Sequence, residues 1–257
     1  IQASRLRTLP AALCPVLIGC SLAADAGSFH ALAAMAALGG AILIQIATNF
    51  ANDYFDFING VDNETRIGPA RATQSGAVKP AAMKLAFIAT FAMLIPVVTY
   101  LAYRGGWPIA ILGAVSVAAG ILYTGGPKPL GYLGLGDVLV LVFFGPIAVG
   151  GTHYVQALEL PVESLVAGIG PGLLSTAILV VNNLRDMDAD RKTGKNTLAV
   201  RFGPRFARAE YAGCIAGAAA TALWFGATGR PWVYLAALST IASWPMLRSM
   251  WAESGAD

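Results

Sequence analysis

The chain is short of charge: only 12% of its 257 residues are Asp, Glu, Lys or Arg, against about 25% in ordinary soluble domains. Water is therefore not expected to be its main solvent. It has just two histidines and three cysteines. Cys14, Cys20 and Cys214 lie in apolar runs without CxxC spacing. That argues against a disulfide framework or a zinc site and leaves them as small apolar residues. No Ser/Gly/Pro-rich linker divides the chain, so residues 1–257 read as one domain. Gly125-Gly126-Pro127 and the Gly131, Gly134, Gly136 series follow no βαβ pattern and lack a Gly-Lys-Ser/Thr. A nucleotide-binding loop is excluded on that ground, and a turn between helices accounts for the glycines.

What is abundant is apolar sequence, 56% of the chain with a mean hydropathy of +0.64. Runs long enough to span a bilayer recur along its length. Eight membrane helices are read, at Leu9–Ala24, Ala31–Ala51, Ala81–Tyr103, Trp107–Tyr123, Val138–Ala157, Val162–Val181, Tyr211–Ala227 and Pro231–Leu247. The fold class is an all-α polytopic bundle. Alternating the connections across the membrane puts fifteen of the seventeen basic residues on one side and only Arg104 and Arg230 on the other. The positive-inside rule makes the rich side cytoplasmic. Trp107, Trp232 and Trp251 fall near helix ends, where an aromatic belt is expected.

Acidic residues number fourteen, and half of them fall in two short stretches. One runs Asn49-Phe-Ala-Asn52-Asp53-Tyr-Phe-Asp56 and continues to Asp62 and Glu64. The other runs Asn182-Asn183-Leu-Arg185-Asp186-Met-Asp188-Ala-Asp190 and continues to Arg191, Lys192 and Lys195. If the second helix continues through its motif, Asn49, Asp53 and Asp56 share one face. Asn182, Asp186 and Asp190 do the same in the second stretch. Both stretches lie on the cytoplasmic side, so two stripes of amide and carboxylate face a common region. Clustered carboxylates repel unless a cation lies between them. Hard divalent cations bind through one or two carboxylates plus phosphate oxygens and water, and interleaved Arg and Lys hold the remaining phosphate oxygens. The pattern suits a metal–diphosphate group. A transporter would be expected to carry its ionisable groups near the bilayer midplane rather than at helix ends.

These segments resemble the UbiA superfamily of membrane prenyltransferases. Asn52-Asp-Tyr-Phe-Asp56, continuing to Asp62-Asn-Glu64, is similar to its first Asp-rich motif, and Asp186-Met-Asp-Ala-Asp190-Arg-Lys to its second. Arg5-Leu-Arg7-Thr-Leu-Pro10, Arg66-Ile-Gly-Pro-Ala-Arg71-Ala-Thr-Gln-Ser-Gly76, Tyr123-Thr-Gly-Gly-Pro-Lys128-Pro-Leu-Gly-Tyr132 and Gly194-Lys195-Asn-Thr-Leu-Ala-Val-Arg201 narrow the likeness. They point to the branch that prenylates 1,4-dihydroxy-2-naphthoate in menaquinone synthesis, with 4-hydroxybenzoate prenylation as the alternative. The likeness covers nearly the whole chain. It implies nine helices around a central cavity open to the cytoplasmic side, one more than the eight read here, so the last helix is expected to be missing after Asp257.

The resemblance further implies two Mg²⁺ ions, with Mn²⁺ suited to the same oxygen ligands. Asn49, Asp53 and Asp56 are expected to hold one ion, and Asp186 and Asp190 the other. The four aspartates are then the catalytic set. The expected diphosphate ligands are Arg71, Lys79, Tyr123, Lys128, Asn52, Asn182, Lys192, Lys195 and Arg5, with Asp62 and Asn183 as further candidates. The implied partners are polyprenyl diphosphate, 1,4-dihydroxy-2-naphthoate and the lipid bilayer, with no nucleic acid. In that branch the ring attacks through the carbon bearing the carboxylate, with loss of CO₂. Asp137 is read as a cap or interhelical partner, and His30 and His153 as interfacial residues. Replacing Asp53 or Asp186 by Asn is expected to stop turnover and leave the bundle folded.

Overall fold

Pro10 and Pro15 fall within the first long helix, yet the chain stays helical through both, as membrane bundles allow where neighbours satisfy the freed carbonyls. The structure, a computed structural model, describes residues 2–62, 68 and 71–252; Glu64 and Arg66 lie outside the described residues. Two 3₁₀ turns, Gln2–Ser4 and Leu6–Thr8, lead into α1 (Leu9–Asp25). There follow α2 (Ala31–Ile58), α3 (Pro80–Ala92), α4 (Leu94–Gly105) and α5 (Trp107–Leu122). Next come α6 (Gly136–Val142), a π-helical segment over Phe143–Ile147, and α7 (Ala148–Ala157). The chain closes with α8 (Val162–Arg185), α9 (Met187–Lys192), α10 (Leu198–Ala227), α11 (Tyr234–Ser239) and α12 (Trp244–Ala252). Among the described residues the secondary structure is helical throughout.

Five spans are long and apolar enough to cross a membrane: Leu6–Asp25, Ala31–Ile58, Pro80–Gly105, Gly136–Ala157 and Val162–Arg185. α5 is a shorter apolar helix. Large apolar side chains such as Leu85, Ile95, Val162 and Leu235 stand exposed on the outside of the bundle, as they do where lipid is the solvent.

The third expected helix is a single span, Pro80–Gly105, interrupted only at Met93, whose backbone stays in the right-handed helical region. Several expectations are corrected in detail. The fifth expected helix bends at Gly145, whose backbone is non-helical ahead of Pro146. α10 begins at Leu198 rather than Tyr211, capped by the Thr197 hydroxyl on the Val200 amide at 3.4 Å. Its backbone breaks at Gly203 (φ 82°, ψ 177°) ahead of Pro204, so Arg201 lies on a short first piece and Arg205 and Arg208 on the piece that runs on into the expected helix. Arginines depress hydropathy without opposing a helix. The run Pro231–Leu247 is broken into a 3₁₀ turn, α11, a second 3₁₀ turn at Thr240–Ser243, and the start of α12. There Ser239, Thr240 and Ser243 each hydrogen-bond the carbonyl three residues earlier, and Pro245 brings no amide donor.

Opposite ends of the bundle have different chemistry. Asp53, Asp56 and Asp186 lie at the C-terminal ends of α2 and α8. At the other end Arg104 donates to the carbonyls of Val155 and Gln156 at 2.5 and 2.8 Å. Arg230 there joins Asp25 at the end of α1, at 2.7 Å, and Glu163 at the start of α8. It ties three helices at their termini. Because these groups are part-exposed, Arg230→Ala is expected to cost only about 1 kcal/mol, read as a small drop in thermal midpoint in detergent with activity retained. His30 caps α2 through Nδ1, at 3.2 Å from the Ala33 amide. His153 is not interfacial as expected but buried, on the inward face of α7.

Candidate active site

The end of α2 carries through the first motif, so Asn49, Asp53 and Asp56 do lie along one buried face. α8 ends at Arg185, yet the Asp190 amide still bonds the Asp186 carbonyl at 2.8 Å, so the helical spacing survives the junction with α9. Asp53 and Asp56 near the end of α2 and Asp186 at the end of α8 sit at helix C-termini, where the macrodipole is negative and carboxylates are disfavoured, while Asp190 falls in the first turn of α9. Each needs cations or donors nearby, and the structure supplies them.

Asp53 is 1% exposed and accepts the backbone amides of Ala72 and Thr73, each at 3.0 Å. It is the anchor of the loop after the motif. Asp56 accepts the Tyr132 hydroxyl at 2.8 Å and pairs with Arg71 at 3.3 Å. Arg71 also pairs with Asp62 at 3.3 Å, so one guanidinium holds two carboxylates. Asn52 accepts the Thr124 hydroxyl at 2.8 Å. Asn49 donates its amide to the Ser4 carbonyl at 3.1 Å and the Thr8 hydroxyl at 3.3 Å, which leaves its oxygen for a cation. In the second stretch Arg185 forks onto Asp186 at 2.8 and 2.7 Å. Lys195 lies 3.5 Å from one oxygen of Asp190, and the other oxygen is buried with no partner among the described residues. Burial pushes the Asp190 carboxyl above the usual range, and Lys195 offsets this only in part.

A cavity of about 1000 Å³ joins the two stretches. Its lining includes Arg5, Asn49, Asn52, Asp53, Asp56, Arg71, Tyr123, Asn182, Asn183, Asp186, Asp190 and Lys195. Beyond these its walls turn apolar, with Ile44, Val98, Leu101, Leu112, Ile147 and Val155 from α2, α4, α5 and α7 and the π-helical segment. Tyr123 lines the same cavity, with its hydroxyl close against Gly136 at the start of α6.

The structure does not bring Lys79, Lys128 or Lys192 to this cavity; all three side chains are exposed. Lys79 is the extended residue ahead of Pro80, Lys128 stands in the turn before Pro129, and Lys192 is two residues from Asp190 on a different face of α9. Asp62 is buried against Arg71 rather than lining the cavity. Asp137 caps nothing: both carboxylate oxygens are buried without a partner among the described residues.

Tyr132, Thr8 and Gln45 were not foreseen. Tyr132 sits in a 3₁₀ turn fixed by the Gly131 amide on the Tyr123 carbonyl at 2.9 Å and the Asn196 amide on its own carbonyl at 3.0 Å. Burial and the Asp56 carboxylate hold its phenol protonated well above the usual tyrosine range. Its place at the end of the Tyr123–Tyr132 segment was the available signal.

The donors present fit divalent metal. Among the described residues no three acidic, histidine or cysteine side chains converge to hold an ion alone. Each stripe instead offers carboxylates in a pair, the arrangement that leaves positions for phosphate and water. The half-satisfied, buried Asp190 is the clearest opening for such an ion.

Residues 12–257 match the UbiA prenyltransferase family over nearly the full chain. The chain belongs to that family. Among UbiA-family relatives, the 1,4-dihydroxy-2-naphthoate octaprenyltransferase of Escherichia coli (strain K12) is 43% identical over 223 residues, covering 84% of this chain and 71% of its own length. The protein of that name from Mycobacterium tuberculosis is 41% identical over 217 residues, covering 84% and 74%. In solved structures the same fold recurs in a UbiA homolog from Archaeoglobus fulgidus bound to DMAPP and Mg²⁺, with a TM-score of 0.57 at 15% identity over 91% of this chain and 86% of that one. A digeranylgeranylglyceryl phosphate synthase matches with a TM-score of 0.60 at 15% identity over 96% and 86%. This UbiA-family chain is thus a helical membrane prenyltransferase.

Proposed function

We propose that the chain transfers a polyprenyl group from polyprenyl diphosphate to 1,4-dihydroxy-2-naphthoate, releasing diphosphate and CO₂ and giving demethylmenaquinol. The observation that carries this reading is the cavity itself, ionic between two acidic helix ends and apolar along the rest of its length. The named activity of relatives at 41–43% identity supports the choice of acceptor. Asp53 and Asp56, with the Asn49 oxygen, would hold one divalent ion, and Asp186 and Asp190 the second; Mg²⁺ or Mn²⁺ suits these ligands. When bound, such metal neutralises the diphosphate and makes it a better leaving group.

Lys195, Arg71 and Arg185 hold the remaining phosphate oxygens. The allylic C–O bond breaks with its electron pair going to the diphosphate. The aromatic ring then attacks the allylic cation, whose charge is stabilised by the fixed dipoles and carboxylates of a dry site. The carboxylate departs as CO₂ and its bonding pair restores the ring. The polyprenyl chain occupies the apolar part of the cavity. The motif end faces the cytoplasm of a cell membrane, in line with the bias of basic residues.

The test is product formation by purified protein in lipid, given polyprenyl diphosphate, Mg²⁺ and either 1,4-dihydroxy-2-naphthoate or 4-hydroxybenzoate. Prenylated naphthoquinol with CO₂ release, lost on chelation and restored by Mg²⁺, is the expected result. Turnover of 4-hydroxybenzoate alone would move the acceptor. Undiminished turnover in chelator would overturn the metal assignment.

A further inference from the structure

Arg71, Arg185 and Lys195 each stand within ion-pair distance of a motif carboxylate. Arg5 reaches the cavity from a different wall. It is carried by the segment ahead of α1, and its backbone is left-handed, with φ 48° and ψ 60°. A residue with a Cβ adopts that conformation only where the surroundings impose it. Here the Thr8 amide and hydroxyl both donate to the Arg5 carbonyl, at 2.8 and 2.9 Å. Thr8 is itself gripped by Gln45 at 2.9 Å and by Asn49 at 3.3 Å, and Asn49 also takes the Ser4 carbonyl. Gln45 and Asn49 are both buried, 9% and 4% exposed. The segment is therefore pinned to α2 one and two turns below Asp53, roughly 6 and 12 Å along the helix axis from the acids.

That depth matters to the chemistry. The diphosphate lies level with the carboxylates, and the carbon it leaves lies on the apolar side of it. The aromatic acceptor must sit there, at the level where the segment bearing Arg5 is held by Gln45 and Asn49 and where Arg5 lines the cavity.

We infer that Arg5 is the residue that reads the acceptor, its guanidinium forking onto the carboxylate of the aromatic acid, while Thr8, Gln45 and Asn49 position it. The inference rests on the function proposed above and adds the group that distinguishes an aromatic acid from the same ring without a carboxylate. Guanidinium forks match carboxylates in two parallel hydrogen bonds. Held against the carboxylate, Arg5 also keeps the ring in register until the new C–C bond forms.

Binding to the full chain in lipid nanodiscs tests this, under anaerobic conditions that keep the hydroquinones reduced. The ligands are 1,4-dihydroxy-2-naphthoate and naphthalene-1,4-diol, each in EDTA, and geranylgeranyl diphosphate in Mg²⁺. Arg5→Gln is expected to weaken the acid about 10- to 100-fold, the range of a charge-assisted hydrogen bond. The diol and the prenyl diphosphate should stay within about twofold of wild type, and Arg5→Lys should recover part of the acid's affinity. Weakening of the prenyl diphosphate with the acid unchanged would assign Arg5 to the donor and overturn the inference. Equal loss of the acid and the diol, unrelieved in Arg5→Lys, would make Arg5 a structural residue and overturn it too. Wild-type protein that turns over no 1,4-dihydroxy-2-naphthoate would instead sink the function on which the inference rests.

Discussion

Asp190→Asn should lose at least about a hundredfold in turnover, the scale of removing one preorganised charge-stabilising group, while the protein unfolds no earlier than wild type. The two halves of this expectation come from one feature. One oxygen of Asp190 is buried with no partner among the described residues, and burial raises its carboxyl. A neutral amide of the same shape is less costly to bury there than a carboxylate. In the absence of metal the substitution therefore relieves the fold as it disables the site, the trade expected where a group is kept for function rather than stability. Thermal midpoints in chelator and turnover in Mg²⁺ would be measured side by side. Wild-type turnover would remove Asp190 from the catalytic set, and a large drop in midpoint would mean that its carboxylate is structural.

Asp53→Asn should behave differently, and here the expectation from sequence needs amending. Both Asp53 oxygens accept loop amides. An amide side chain has one oxygen to give, so one of the Ala72 and Thr73 N–H groups loses its acceptor. Lost activity in Asp53→Asn would mix loop displacement with ligand loss, and Asp190 is the cleaner position to test.

Gly168→Val is expected to prevent folding. A Cβ at Gly168 would lie 2.5 Å from the Gly145 carbonyl carbon and the Pro146 nitrogen, and one at Gly172 would lie 2.5 Å from the Leu141 carbonyl oxygen. α8 thus meets the bend in its neighbour backbone to backbone, the close approach that small residues permit between membrane helices. Those atoms belong to main chain and cannot swing aside, so the cost should exceed the roughly 1–3 kcal/mol of ordinary overpacking. The measurement is the yield of monodisperse protein in detergent. Gly213→Ala is the control, because nothing lies within 4 Å of its added Cβ. Wild-type yield and midpoint for Gly168→Val would mean that the two helices can separate without loss.

Where hydropathy and spacing act alone, the sequence was a good guide. α1, α2 and α8 start at or beside their expected residues, and the two motifs face one cavity. It was a poor guide where local backbone chemistry competes with hydropathy. Gly145 and Pro146 are apolar enough to pass within a membrane run, yet they bend it. The basic start of α10 looks like a loop to a hydropathy scale, yet it is helical on both sides of a break at Gly203, which has φ 82° ahead of Pro204. In the site, residue type revealed which groups are ionic but not which of them are already engaged. Asn49 spends its donor on the chain's beginning, Asp53 on a loop, and Arg71 on two acids at once. Those pairings join residues that are distant in sequence, and periodicity carries no record of them. Lys79, Lys128 and Lys192 show the converse, having the right charge beside the right motifs on surfaces that face away.

The change of character along the cavity, from paired ions to bare hydrocarbon, puts the proposed reaction at a phase boundary. The bond that breaks joins a multiply charged ion to a hydrocarbon chain, and each fragment has its own solvent at its own end of the cavity. Once they separate, diphosphate partitions into water and the prenylated ring into lipid. Their return to one another is opposed by two solubilities, and the forward direction of the transfer gains from the membrane in which the protein stands.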